Sequence, residues 1–251
     1  MSTTYLITKM LSVPAVLLAL VFHECAHGYT AYKLGDPTAK NMGRLTLNPL
    51  AHLDPIGAIL MLLVGFGWAR PVPVNPRYFK NPRKGMALTA LMGPVANILI
   101  AIISALLYLL MYKLFLVMSA GVLLTRFWYN FLYYLTLFFL IMHRLNLSLA
   151  IFNLIPLPPL DGSRILGLFL PQKWYYWLLT HERQIAIIFF VWLLVGDGLA
   201  TYLLALPAVA SSPVLAAIVN IFSLSGWLGS AVQFLSNLII GLFTKIPFLA
   251  I

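Results

Sequence analysis

The chain is a succession of long apolar runs separated by short polar stretches rich in Pro and Gly. The first run, Tyr5 to Lys33, is mostly Leu, Val, Ala, Met and Phe, long enough to cross a bilayer as a helix. Gly35 to Pro55 is polar and broken by Pro and Gly. Ile56 to Phe66 is apolar but too short to span comfortably, so it reads as a re-entrant or interfacial piece. Arg70 to Pro76 reads Arg-Pro-Val-Pro-Val-Asn-Pro, whose alternating prolines exclude a central strand and suit an exposed edge. Gly85 to Leu116 predicts a second spanning helix. Arg126 to Ile155 predicts a third, bent near His143 to Asn146, and beyond it Pro156, Pro158, Pro159 and Gly162 forbid a regular helix. Gln184 to Leu206 predicts a fourth. Val214 to Ile251, interrupted at Gly226 and Gly229, predicts one spanning helix plus a fragment. The fold class is thus an all-α polytopic membrane protein of about four to six transmembrane helices, with a re-entrant, short β-edge segment between the first and second. Residues 1–251 read as a single domain, with a core of about 5–206 and a hydrophobic extension over 207–251.

Composition agrees with this pattern. The chain is 62% hydrophobic and 9% charged, against about a quarter charged in a soluble domain. The first run has no positive region before it and carries polar chemistry, which argues against a cleavable signal peptide. Net charge is +10, and eight of the basic residues fall between Lys33 and Lys84. By the positive-inside rule residues 33–84 face the cytoplasm, as do residues 162–183 with Arg164, Lys173 and Arg183. The N-terminus and residues 117–125 then face outside. No basic array interleaved with aromatics suggests nucleic acid. The aromatic stretch Phe127 to Phe139 reads as surface facing lipid and interface. The one cysteine, Cys25, excludes an internal disulfide.

One short stretch carries chemistry. His23-Glu24-Cys25-Ala26-His27 places H-E-x-x-H inside the first apolar run. Two histidines four apart share one helix face and can bind one zinc ion. The Glu after the first His can act as general base on a zinc-bound water. Imidazoles and a carboxylate are costly at membrane depth, which makes them functional candidates. Cys25 points away from the His face and packs as a small apolar side chain. Two His leave zinc short of a third protein ligand. The chain has only six acids, and Asp161 stands out among them, following the broken backbone of Pro158-Pro159-Leu160.

Taken in order, H-E-x-x-H in the first helix, Gly93-Pro94-x-x-Asn97 in the next and Asn153-x-x-Pro156-x-Pro158-x-Leu160-Asp161-Gly162 later resemble the site-2 protease family of intramembrane zinc metalloproteases. Gly35-Asp36-Pro37, Gly43-Arg44-Leu45, His52-Leu53-Asp54-Pro55 and Trp68-Ala69-Arg70-Pro71 resemble its short bacterial-type branch, without inserted PDZ or appended CBS domains. The resemblance covers about residues 10–205. It implies one Zn2+ per chain held by His23, His27 and Asp161, with a water in the fourth position. It implies Glu24 as the base and proton donor, and Asn153 binding substrate backbone or the developing oxyanion. Gly93 and Asn97 match a motif that packs or positions the core. Implied partners are transmembrane protein substrates and the lipid bilayer, in a multi-pass protein of a bacterial or archaeal cell membrane whose site opens to the cytoplasm. A homo-oligomer is left open.

The remaining histidines carry weaker signals. His52 reads as bonding a loop carbonyl, or as a second layer or gate over the zinc. His143 and His181 read as interfacial or solvated. Two rival functions exist. A metal- or proton-handling transporter should spread polar residues along a path or show inverted repeats, whereas here they converge on one depth. An inactive family member acting as a binding module is opposed by the intact H-E-x-x-H and Asp161.

Overall fold

In the computed structural model, which describes residues 3–57, 69–120, 125–221, 223–246 and 248–249, the apolar runs become helices whose ends are set by punctuating residues. Helix α1 spans Thr3–Lys33 and holds Pro14 within it. A short α2, Thr38–Asn41, follows. Helix α3, Pro82–Ala120, is 39 residues long. It opens on a proline, whose missing N–H costs nothing at a first helical position, and Asn81 accepts the Lys84 N–H at 3.0 Å. Helix α4, Arg126–Asn153, stops just before the proline-rich segment. Short helices α5 (Asp161–Phe169), α6 (Gln172–Thr180) and α7 (Glu182–Val191) come next. A π turn over Trp192–Gly196 then leads into α8, Asp197–Leu204. The C-terminal part holds α9 (Pro207–Ala210), α10 (Pro213–Ile221) and α11 (Leu224–Phe243).

Among the described residues four helices are long and apolar enough to cross a membrane: Tyr5–Lys33, Pro82–Ser119, Arg126–Asn153 and Leu224–Phe243. The all-α polytopic expectation holds. Helix α3 lies at the centre, with α1 and α4 against it. The contacts run over small residues: Ala15 and Ala19 of α1, Ala101 and Ala105 of α3, and Ala150 of α4 are buried. In lipid no hydrophobic force draws helices together, so close backbone approach through small residues has to supply the packing. Helix α11 closes the other side, where Val232 meets Ala101 and Leu147.

Helix α4 is continuous through His143 and Asn146. Three expectations about detail change. The fourth expected helix is not one regular α-helix, because the π turn interrupts it. The last apolar stretch breaks at Ser223 rather than at Gly226 and Gly229. Ser223 caps α11, its Oγ accepting the Gly226 N–H at 3.0 Å, and both glycines lie within the helix. The edge is extended backbone rather than a strand: Leu53 and Ala69 form an isolated antiparallel bridge, and the Arg70 N–H donates to His52 O at 2.8 Å. Of the short apolar piece Ile56 to Phe66, residues 58–66 lie outside the described residues.

Candidate active site

One turn of α1 puts the His23 and His27 rings against each other, with centroids 4.5 Å apart. Asp161 reaches them from the first position of α5, where the positive end of the helix dipole favours a carboxylate. His23 Nε2 and His27 Nε2 are 3.0 Å apart, and Asp161 Oδ2 lies 3.1 Å from the first and 3.2 Å from the second. Two glycines permit this convergence. A Cβ on Gly93 would overlap both imidazoles, so α3 can pass this close only without a side chain there. A Cβ on Gly162 would overlap the carbonyls of Leu154 and Ile155, so Asp161 can swing in only if its neighbour is Gly.

The far sides of both rings decide which nitrogen carries the proton. His23 Nδ1 faces Asn97 Oδ1 at 2.5 Å, and His27 Nδ1 faces the Thr89 carbonyl at 2.7 Å. Both partners only accept, so each Nδ1 must be the N–H, and in the neutral ring each Nε2 bears a lone pair. Three lone-pair atoms therefore crowd one point, and Asp161 Oδ2 is buried with no hydrogen-bond donor on it. Such a set repels itself unless a cation sits between its members. Ligand atoms about 2.0–2.1 Å from one tetrahedral zinc are about 3.3–3.4 Å apart, close to the separations found. His23, His27 and Asp161 fit a zinc ion.

The cavity at this point measures about 290 Å³ and is lined by His23, Glu24, His27, Asn153, Asp161 and Arg164, with Val72 and Val74 across from them. Among the described residues, larger hollows of about 380 Å³ beside Cys25 and about 630 Å³ between α10 and α11 hold no comparable cluster. Glu24 Oε2 accepts the Val72 N–H at 2.8 Å, which ties the edge segment directly to the glutamate. This segment is staked down along its length. Arg44 Nη2 donates to the carbonyl of Arg70 at 2.7 Å, and Asp36, fully buried, accepts the Asn75 N–H at 2.6 Å. Asn153, at the end of α4, lines the cavity and donates from Nδ2 to Leu149 O at 3.0 Å.

The other sequence candidates divide. His52 is buried away from the cluster, its Nε2 at 2.8 Å from the Thr46 carbonyl. Cys25 turns to that same carbonyl, 2.9 Å away. His143 corrects the interfacial reading: it is fully buried, with Nδ1 at 2.9 Å from Ala101 O and Nε2 at 3.0 Å from Ser236 Oγ. Thr89, Asn146, Arg44 and Arg164 were not among the site residues expected from the sequence. For Arg44 the surrounding Gly43-Arg44-Leu45 was a signal. For the Thr89 carbonyl there was none, because every residue has one.

A model of peptidase family M50 matches residues 12–196. "Putative zinc metalloprotease YwhC" of Bacillus subtilis is 50% identical over 151 residues, 60% of this chain and 65% of that protein. "Putative zinc metalloprotease Rip2" of Mycobacterium tuberculosis is 27% identical over 190 residues, 73% of this chain and 66% of its own. "Zinc metalloprotease MJ0392" of Methanocaldococcus jannaschii is 29% identical over 161 residues, 64% of this chain but 34% of its own length. The chain thus spans just under two thirds of the Bacillus protein it matches. No solved structure gives a significant match.

Proposed function

The chain belongs to peptidase family M50, and from that premise we propose that it is an intramembrane zinc endopeptidase, cutting peptide bonds within transmembrane segments of other membrane proteins. The observation that carries this reading is the meeting of His23 Nε2 and His27 Nε2, on a helix long enough to span a bilayer, with Asp161 Oδ2 from the short α5, all within 3.0–3.2 Å and with Glu24 in the same cavity. Zinc bound there would polarise a scissile carbonyl and lower the pKa of the attacking water towards about 7. His23, His27 and Asp161 would hold it. Glu24 takes the proton of the attacking water and passes it to the leaving amine. Asn153, which lines the cavity, would hold substrate backbone.

A helical substrate hides its carbonyls in its own hydrogen bonds and must unwind before it can be cut. The extended segment from Pro71 to Val74 would hold the unwound stretch by strand addition. The Val72 N–H is already committed to Glu24. That leaves Val74, whose N–H makes no hydrogen bond among the described residues, as the pairing position. The eight basic residues within 33–84 support a cytoplasmic position for this edge and its water supply. The packing of α11 against α3 and α4 supports treating residues 1–251 as one domain. The convergence of polar groups at one point, rather than along a path, weighs against transport.

Membrane proteomics of cells carrying the parent chain against Glu24→Gln tests the proposal. Fragments cut within transmembrane segments should appear only with the parent. The glutamine cannot accept the proton, so hydrolysis should fall by about 10²–10⁴-fold with zinc content unchanged. Equal fragment patterns would remove the protease reading.

A further inference from the structure

Asn146 on α4 touches neither the cavity nor the metal-facing nitrogens, and no motif named above includes it. It is fully buried, and so is Asn97. Asn97 Nδ2 donates to Asn146 Oδ1 at 2.7 Å and to the Ala19 carbonyl at 3.3 Å. Asn146 Nδ2 donates in turn to the Met142 carbonyl at 2.8 Å. A side-chain amide can be turned over only if its neighbours tolerate the exchange of oxygen and nitrogen. Here they do not. Turning Asn146 would set its oxygen on the Met142 carbonyl and its N–H group on the Asn97 N–H group. Turning Asn97 would set its oxygen on Asn146 Oδ1 and Ala19 O. The carbonyl of Met142 fixes Asn146, and Asn146 with Ala19 fixes Asn97. Asn97 can then offer only an oxygen to His23 Nδ1.

We propose that Asn146 is a positioning residue for the zinc site, holding His23 through Asn97 in the tautomer whose Nε2 lone pair points at the metal. This rests on the reading of His23 as a zinc ligand. Without the Asn146 oxygen, Asn97 keeps one long bond on Nδ2 and is free to turn. An N–H group facing His23 Nδ1 would drive the proton to Nε2, where it blocks ligation. Within an apolar bundle no water is at hand to supply a substitute acceptor. Partners one layer out from a metal ligand commonly carry 10- to 100-fold in metal affinity, and the effect expected for Asn146 is about 10-fold or more.

The test uses the full-length chain purified in detergent, stripped of metal and titrated with zinc against a competing chelator. Asn146→Leu should weaken zinc binding by about 10-fold or more. Asn146→Asp, buried and neutral, keeps the acceptor and should stay within a few-fold of the parent. Thermal unfolding of the metal-free proteins reports on packing separately. On the unsubstituted, metal-free chain, nitrogen-15 spectra of labelled histidine should show His23 protonated at Nδ1, with His23→Ala identifying its signal. Parent-like zinc affinity in Asn146→Leu would overturn the proposal. So would equal loss in Asn146→Asp, or a His23 proton on Nε2 in the unsubstituted chain. If the parent itself binds zinc no better than His23→Ala, the zinc-ligand reading fails instead, and the two failures are distinct.

Discussion

The interior around His23 and the surface of α11 are both built on apolar helices, yet they use their polar side chains in opposite ways. Around His23 the rings are held by directed bonds, His23 to Asn97, Asn97 to Asn146 and His27 to the Thr89 carbonyl. On α11 the large side chains of Trp227, Phe234, Leu238 and Leu242 face outward, and Gln233 pairs with Asn237 on the exposed side. Ser236 points inward to a bond with His143, and at the exposed start of the helix Ser225 binds Asp197. The family match ends at residue 196, before α11 begins. Apolar side chains in lipid have no preferred direction, so they decide that a helix inserts. Hydrogen-bonding groups have direction, and in hydrocarbon an unmade bond is costly, so they decide how helices stand against one another.

The largest expected effect lies at the convergence point. His23→Ala, His27→Ala and Asp161→Ala should each drop zinc from about one per chain to background, and cleavage with it. Metal analysis of the purified variants checks this, and full occupancy in Asp161→Ala would take that residue out of the set.

The same substitution placed in the two regions gives the sharpest contrast. Gly93→Ala pushes a methyl into both imidazoles, whereas nothing lies within 4 Å of a Cβ on Gly229. Gly93→Ala should displace the ligands and cost about 1–3 kcal/mol of stability by overpacking, with weaker zinc binding. Gly229→Ala should stabilise α11 by up to about 1 kcal/mol and leave zinc binding alone. Thermal unfolding and zinc titration of the pair measure both signs. Like behaviour at the two sites would break the comparison.

Smaller effects follow at the strap and at the α11 contact. Val72→Pro removes the N–H that Glu24 accepts. A hydrogen bond to a charged group contributes about 1.5–3 kcal/mol, so cleavage should slow by about 10-fold or more with zinc content intact. Unchanged turnover would free the Glu24 contact from any part in the reaction. Ser236→Ala strands His143 Nε2 and should cost about 1–3 kcal/mol in unfolding, while zinc affinity stays that of the parent. A loss of zinc in Ser236→Ala would show α11 acting on the site rather than only docking on it.

The amino-acid sequence by itself determined what depends on neighbours along the chain. The lengths of the apolar runs were enough for α1, α3 and α4, because a bilayer sets the length a helix needs. The spacing of His23, Glu24 and His27 was enough for a metal-binding face, because one helical turn fixes their directions. Asp161 was legible through its resemblance to a family motif, since no local period connects α5 to α1. Only the tertiary structure decided which groups meet across helices. It took His143 from an expected interface into the core, where the Ala101 carbonyl and Ser236 receive it. It moved the last break to Ser223, whose hydroxyl caps the first turn of α11. It committed the Val72 N–H to Glu24 and brought Asn146 behind Asn97. Those bonds use backbone groups that every residue carries, or amides whose partners lie on other helices. Neighbours in sequence say nothing about them, and the packing of α1, α3 and α4 says everything.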